Sequence, residues 1–231
     1  MMKKISAALV LATLFSTASA HAATIEFDAS KGMTTTNWSD TLSFGKFDTR
    51  LGTLNAIKFV LDGSVAGSGR AESLDGSATT ITLSLASTLT LTRPDGTTLV
   101  VTNPVFSAAH DVASFDGAID FRGASGWDTG AVANSASNSF TSASAADFTL
   151  FSAAGGGTID LNLQAAGNST GTGAGNLITQ FATSAGAGVK VVYDYTALAP
   201  VPEPETYGMM LLGLGVIGAA ARRRARNRQA V

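Results

Sequence analysis

Ser43-Phe44-Gly45-Lys46 fits the S-x-x-K pattern, in which a lysine takes the proton of a serine nucleophile in some acyl-transfer enzymes. That chemistry needs a helical turn under both side chains, and Gly45 sits inside it. His110, with Asp111 beside it and Ser114 nearby, supplies the residue types of a hydrolytic triad. Adjacent residues on a strand face opposite ways, so nearness in sequence assembles no triad here, and His110 reads as a surface or loop histidine. Four Asp-Gly pairs, at 62–63, 75–76, 95–96 and 116–117, raise calcium. Their spacing is neither that of an EF-hand nor of a nonapeptide repeat. Asp-Gly is the ordinary pair of a tight turn, and that reading is preferred to an ion bridging two loops. Cys is absent and there are two His, which excludes disulfides, thiolate chemistry and a multi-His metal site. The chain is therefore expected not to be an enzyme and to carry no cofactor or metal.

Binding remains open. Trp127 lies in the loop-like stretch Gly123-Ala124-Ser125-Gly126-Trp127-Asp128 and is the candidate ligand contact, an indole on which a sugar ring can stack. Charged residues make up 14% of the chain against about 25% in an average soluble protein. The formal net charge is −2, which gives no electrostatic footprint for nucleic acid. The charge is unevenly spread. Lys3 and Lys4 stand at one end, and five Arg with Glu203 and Glu205 at the other, leaving eight basic and 15 acidic residues between them. The middle of the chain is thus mildly acidic, unsuited to binding DNA or anionic lipid by charge alone.

The elements that position these residues read as strands. Ile81, Leu83, Leu85, Leu89 and Leu91 alternate with Thr and Ser, with one interruption at Ser87. Arg93-Pro94-Asp95-Gly96 then supplies a tight turn, and Thr97 to Thr102 returns, which predicts a β-hairpin over 81–102. Period-two runs recur at Ile57-Phe59-Leu61, Phe115-Ile119-Phe121, Ile159-Leu161-Leu163 and Val189-Val191-Tyr193-Tyr195. Ala131–Ala146 and Ala165–Gly175 are small and polar, and read as loops or weak edge strands. No stretch from Thr24 to Thr196 has sustained helical periodicity. The fold class expected is all-β: an antiparallel β-sandwich over 23–200, one face of each sheet buried and the Ser/Thr face in water.

The two ends read as targeting segments. Lys3 and Lys4, an apolar run from Ile5 to Phe15 and small residues up to Ala20 and Ala22 make residues 1–22 a signal peptide, cut after Ala22 or else Ala20. Signal peptidase and the Sec machinery are the partners implied. At the other end, Val201-Pro202-Glu203-Pro204-Glu205 is followed by the uncharged stretch Tyr207–Ala221 and by Arg222, Arg223, Arg224, Arg226 and Arg228. The uncharged stretch holds 15 residues, about 22 Å of helix against a hydrocarbon layer of about 30 Å. With Thr206 in the helix and snorkelling arginines it makes a marginal single transmembrane helix over 206–221, its basic tail 222–231 held in the cytoplasm.

This three-part order resembles the PEP-CTERM protein-sorting signal, over 201–231. The resemblance implies a substrate of exosortase, a membrane transpeptidase-like enzyme of Gram-negative bacteria that acts near the motif Pro202, Glu203 and Pro204. It implies export through the inner membrane, transient anchoring by the C-terminal helix, and transfer or release to the cell surface or medium. A second resemblance covers about 47–196. Phe47-Asp48-Thr49-Arg50-Leu51-Gly52-Thr53-Leu54, then Leu61-Asp62-Gly63-Ser64, then the strand Val189–Thr196 are similar to the choice-of-anchor E domain, a bacterial surface module with no activity implied. The function expected is a non-catalytic cell-surface or matrix protein, associated with exopolysaccharide in a biofilm. The alternative is a carbohydrate-binding or adhesin module on the same surface. No nucleic-acid partner is expected.

Overall fold

The computed structural model describes residues 22–198 and 204–227. They fall into two units, a β unit ending at Ala197 and the C-terminal helix, each taken by itself below. Residues 1–21, with Ala20 of the expected signal peptide among them, and Pro202, Glu203 and Arg228 lie outside the described residues.

The strands of the first sheet are β1 (Ala22–Thr35), β4 (Gly52–Ser73), β8 (Gly126–Asp128), β9 (Val132–Ser142) and β13 (Leu177–Ala197). Their order is β1-β13-β4, with β8 and β9 both on the far edge of β4. The second sheet holds β2 (Trp38–Gly45), β5 (Thr79–Thr92), β6 (Thr98–Thr102), β7 (Val105–Val112), β11 (Thr158–Gly167) and β12 (Thr170–Thr172). Its path is β12-β5-β11-β2, with β6 and β7 also on β5. All these pairings are antiparallel. A short parallel pair joins β3 (Phe47–Asp48) to β10 (Ser152–Ala153). The architecture is mostly β and consistent with the expected all-β sandwich.

The core lies where the period-two runs face one another. Ile57, Phe59 and Leu61 on β4 and Val189, Val191 and Tyr193 on β13 are buried against Leu89, Leu91, Leu161 and Leu163 of the second sheet. Burying each such side chain contributes roughly 1.5–3 kcal/mol. A smaller cluster of Ala71, Ile81, Leu83 and Val112 fills one end, with Trp127, Leu177 and Phe181 packed on it. The hairpin over 81–102 forms as expected, Leu89–Thr92 pairing with β6. Ser87 has a structural reason. It is fully buried at the point where β5 changes partner on both edges, from β7 to β6 and from β12 to β11. Its hydroxyl donates to Ala166 O (3.2 Å) and its amide to Pro104 O (3.2 Å), so the groups freed at the change are satisfied.

Three expectations need correction. Phe115, Ile119 and Phe121 do not form a strand: residues 113–125 are a loop. The Asp116 carboxylate accepts from the amides of Ala118 (3.0 Å) and Ala124 (3.3 Å), which turns the chain back on itself. Asp62-Gly63 is no turn but lies inside β4, whereas Gly96 and Gly117 do turn, at φ +85° and +96°. Trp127 is not in a loop but on the short strand β8. Ala131–Ala146, read as loop or weak edge strand, contains β9, an eleven-residue edge strand paired with β4 alone, and the start of a helix, α1 (Ala145–Phe151). Ser144 caps α1 by accepting from Asp147 N (3.2 Å).

Candidate functional site

The tail unit is one helix, α2 (Pro204–Asn227). Pro204 opens it, where a missing amide and a fixed φ suit a helix start. The helix runs on through the arginines, so Arg222, Arg223, Arg224 and Arg226 extend it rather than follow it. Met209, Met210, Leu211, Leu212, Leu214, Val216 and Ile217 are all more than half exposed. An apolar helix with basic residues in its last turn suits a bilayer edge, where arginine heads reach the phosphates. Among the described residues no helix is long and apolar enough to cross a membrane.

On the β unit, Ala22 is the first described residue of β1 and is exposed. Ser43 lies on β2 and Lys46 just beyond its end, on extended chain rather than a helical turn, and the Ser43 hydroxyl donates to the Asp160 carboxylate. Asp111 accepts from Thr80 Oγ1 (2.6 Å), and His110 stacks on Trp127 with ring centroids 5.3 Å apart. Ser43, Asp111 and His110 therefore each have another partner, and Lys46 is not on a helical turn with Ser43. His110 stacks on the Trp127 indole, which is partly buried and packs on the smaller core cluster. Among the described residues no group of three or more acidic or histidine side chains is placed to hold a metal ion.

The structure brings together polar residues that sequence reading missed. Gln180, Arg70 and Asp128 are cross-strand partners in one row over β13, β4 and β8. Arg70 Nε donates to Gln180 Oε1 (2.9 Å), and the guanidinium stands 5.0 Å from the Phe121 ring centroid. Phe121 sits at φ +58°, a costly conformation for an aromatic residue. Glu72 holds it there. This fully buried carboxylate accepts from Phe121 N (2.7 Å) and Ser125 Oγ (2.6 Å), which fixes the 113–125 loop against the sheet. Arg70, at the centre of the row, is 110 residues from Gln180 and 58 from Asp128 along the chain, so no local pattern announces it.

The chain matches the PEP-CTERM protein-sorting motif over residues 200–224. No curated protein matches it. Among solved structures, it is similar to the VP2 subviral particle of infectious bursal disease virus, at 15% identity over 85% of this chain and 42% of that one, with a TM-score of 0.20. It is also similar to the Gx strain of that virus, at 11% identity over 92% and 52%, with a TM-score of 0.17. The chain spans about half the length of these viral chains, and likeness at this level supports no statement about fold or function. The sorting motif marks the protein as an exosortase substrate, and it implies export, transient membrane anchoring and then surface release.

Proposed function

We propose that this is a non-catalytic protein of the cell surface or extracellular matrix, cut from its signal peptide, held for a time by α2 in the inner membrane and passed on by exosortase. The observation that carries the reading is the sorting motif at 200–224, coincident with a helix whose apolar side chains are exposed and whose last turn is basic. Thr206–Ala221 is the span, shorter than the hydrocarbon layer, with the arginines reaching the cytoplasmic headgroups. A short span of this kind suits a temporary anchor. The β unit is the cargo, a module of the choice-of-anchor E type in which Phe47 of the matching segment is buried in the core and Leu54 packs on it. Exopolysaccharide in a biofilm is the matrix partner. The lone S-x-x-K pattern, on extended chain with its serine already hydrogen-bonded, supports the non-catalytic reading.

Intact mass of the protein recovered from the cell surface and the medium tests this. Loss of both ends, near Ala22 and near Pro202-Glu203-Pro204, is the expected result. A protein that keeps its arginine tail and stays in the inner membrane overturns it.

A further inference from the structure

The outer face of the first sheet carries a trough of about 690 Å³, within the usual range of ligand sites. Two irregularities build it. On one side, the β1–β13 ladder loses register between Lys31 and Thr34, and Thr35 rises as a wall. On the other side, β4 changes partner from β9, which ends at Gly67↔Val132, to β8, which begins at Arg70↔Asp128. The corner between them stands up beside the sheet. It is pinned by Thr129 N to Gly69 O (2.9 Å), Gly69 N to Thr129 Oγ1 (3.0 Å) and Gly130 N to Asp128 Oδ1 (2.8 Å). Ladder breaks of this kind gather beside binding sites, where they re-aim side chains.

Between the walls the floor is Ala66–Ser68 and Ala182–Ser184. Gly67 is required there: at its φ of +158° a Cβ would stand 1.8 Å from Ala182 O. The trough continues at both ends. One end opens into a hollow of about 460 Å³ over Ser64, Met33 and Ser135, and the other into one of about 220 Å³ at Arg70, Gln180 and Asp128. It is therefore an open channel that takes the inside of a polymer.

The polar row closes the assignment. Arg70 and Asp128 are direct cross-strand partners of opposite charge, yet they form no salt bridge with each other. The guanidinium is instead turned to Gln180 and backed by Phe121, leaving its terminal nitrogens without a hydrogen-bond partner among the described residues. The terminal guanidinium donors and the Asp128 carboxylate, whose Oδ1 takes the Gly130 amide and whose Oδ2 has no donor among the described residues, thus stand side by side, the arrangement that grips neighbouring hydroxyls of a polyol. Their charges cancel and the surrounding unit is mildly acidic, which disfavours a polyanion. Of the apolar side chains along the channel, Val65 is buried and Phe181 packs on the smaller core cluster, which leaves Met33 and Val132 as a poor surface for a lipid or an amphipathic helix.

We propose that this channel binds a strand of neutral polysaccharide, its hydroxyls held at one end by Arg70, Gln180 and Asp128. The proposal rests on the surface-protein reading and gives it a contact site other than Trp127. The test uses the full chain in mild detergent and cell-surface polysaccharide from the source cells, split by anion exchange into neutral and acidic fractions. Affinity electrophoresis reads binding, and thermal melting checks folding. The wild type binds the neutral fraction. Arg70→Ala weakens that binding about tenfold, the loss of charge-assisted hydrogen bonds. Ser68→Tyr, which fills the floor, abolishes it, whereas Trp127→Ala leaves it within a factor of two or so. Binding only to the acidic fraction, binding unchanged in folded Arg70→Ala and Ser68→Tyr, or self-association lost in Ser68→Tyr without polysaccharide binding each overturns the proposal. A correctly trimmed surface protein that binds no polysaccharide sinks the channel and spares the sorting reading. An untrimmed membrane protein sinks the sorting reading whatever the channel binds.

Discussion

Ala22, at the start of β1, is the cross-strand partner of Thr196, next to the end of β13. The two ends of the β unit therefore emerge side by side at one pole of the first sheet. Cutting after Ala22 removes only the outermost pair and leaves Ala23 on Tyr195. The register can be locked, because Thr24 faces Asp194 and the chain has no cysteine to interfere. Cross-strand partners are close enough for a disulfide. Thr24→Cys with Asp194→Cys should oxidise spontaneously after export and stabilise the unit by about 3 kcal/mol. Melting with and without reductant measures it, and a pair that stays reduced refutes the register.

Asp147 is 1% exposed and Arg93 19%, and their side chains meet at 2.6 Å. Asp147 also accepts from the hydroxyls of Ser142 and Ser144. Removing one partner strands the other charge. Asp147→Ala should cost about 3 kcal/mol in urea unfolding. Arg93→Met with Asp147→Leu should cost clearly less than that, since no buried charge is left.

Glu72 is the post on which the 113–125 loop hangs. Glu72→Ala leaves Phe121 N and Ser125 Oγ without their acceptor and should cost about 2–3 kcal/mol. Hydrogen exchange at the Phe121 amide should accelerate more than the loss of global stability accounts for. Equal acceleration throughout the β unit would show that the loop is not separately held.

Tyr193 is fully buried, edge-on to Phe27, and donates to Gly45 O (2.8 Å). Burial raises its hydroxyl well above the ordinary value of 10.0. The folded state thus favours the protonated phenol. The stabilising contribution is complete below that ordinary value and is lost as pH climbs toward the raised one. Stability should fall in alkali, and Tyr193→Phe should flatten that fall while costing about 1 kcal/mol at neutral pH for the missing hydrogen bond.

Asp48 behaves in the opposite sense. The Arg50 side chain, with the Arg50 and Gly155 amides, holds its carboxyl far below the ordinary value of 3.8. Its contribution is present above that value and drains away as pH falls from it toward the depressed one. Asp48→Asn should make stability less sensitive to acid in that window, as read by urea midpoints at graded pH.

What the sequence made legible was apolar alternation. Ile57-Phe59-Leu61, the 81–102 hairpin, Ile159-Leu161-Leu163 and Val189–Tyr195 all lie on strands because each buries one face. The lengths of β4 and β13, 22 and 21 residues, were hidden by glycines and serines that tertiary pairing carries through. β9 has almost no apolar signal and is a strand because β4 offers it an edge. Phe115, Ile119 and Phe121 have the right residue types for a strand, but Asp116 captures the amides such a strand would need. α1 is two turns long, below what periodicity detects. The sorting motif at 200–224 was readable because its pattern is compositional and contiguous. The Gln180–Arg70–Asp128 row was not, because pairing over long sequence separations creates it.

β13 is the last strand of the β unit in the chain, yet it sits between β1 and β4 in the first sheet. Until Leu177–Ala197 arrives β1 has no sheet partner, and β4 has β8 and β9 on one edge and nothing on the other. A polypeptide delivered N-terminus first through a narrow conduit therefore cannot complete its first sheet until nearly the whole unit has passed, although every strand of the second sheet precedes β13 in the chain. Closure comes late and cooperatively, through the most non-local contacts in the unit, which is slow by nature. The order of strands thus sets closure of the first sheet near the end of the β unit's delivery.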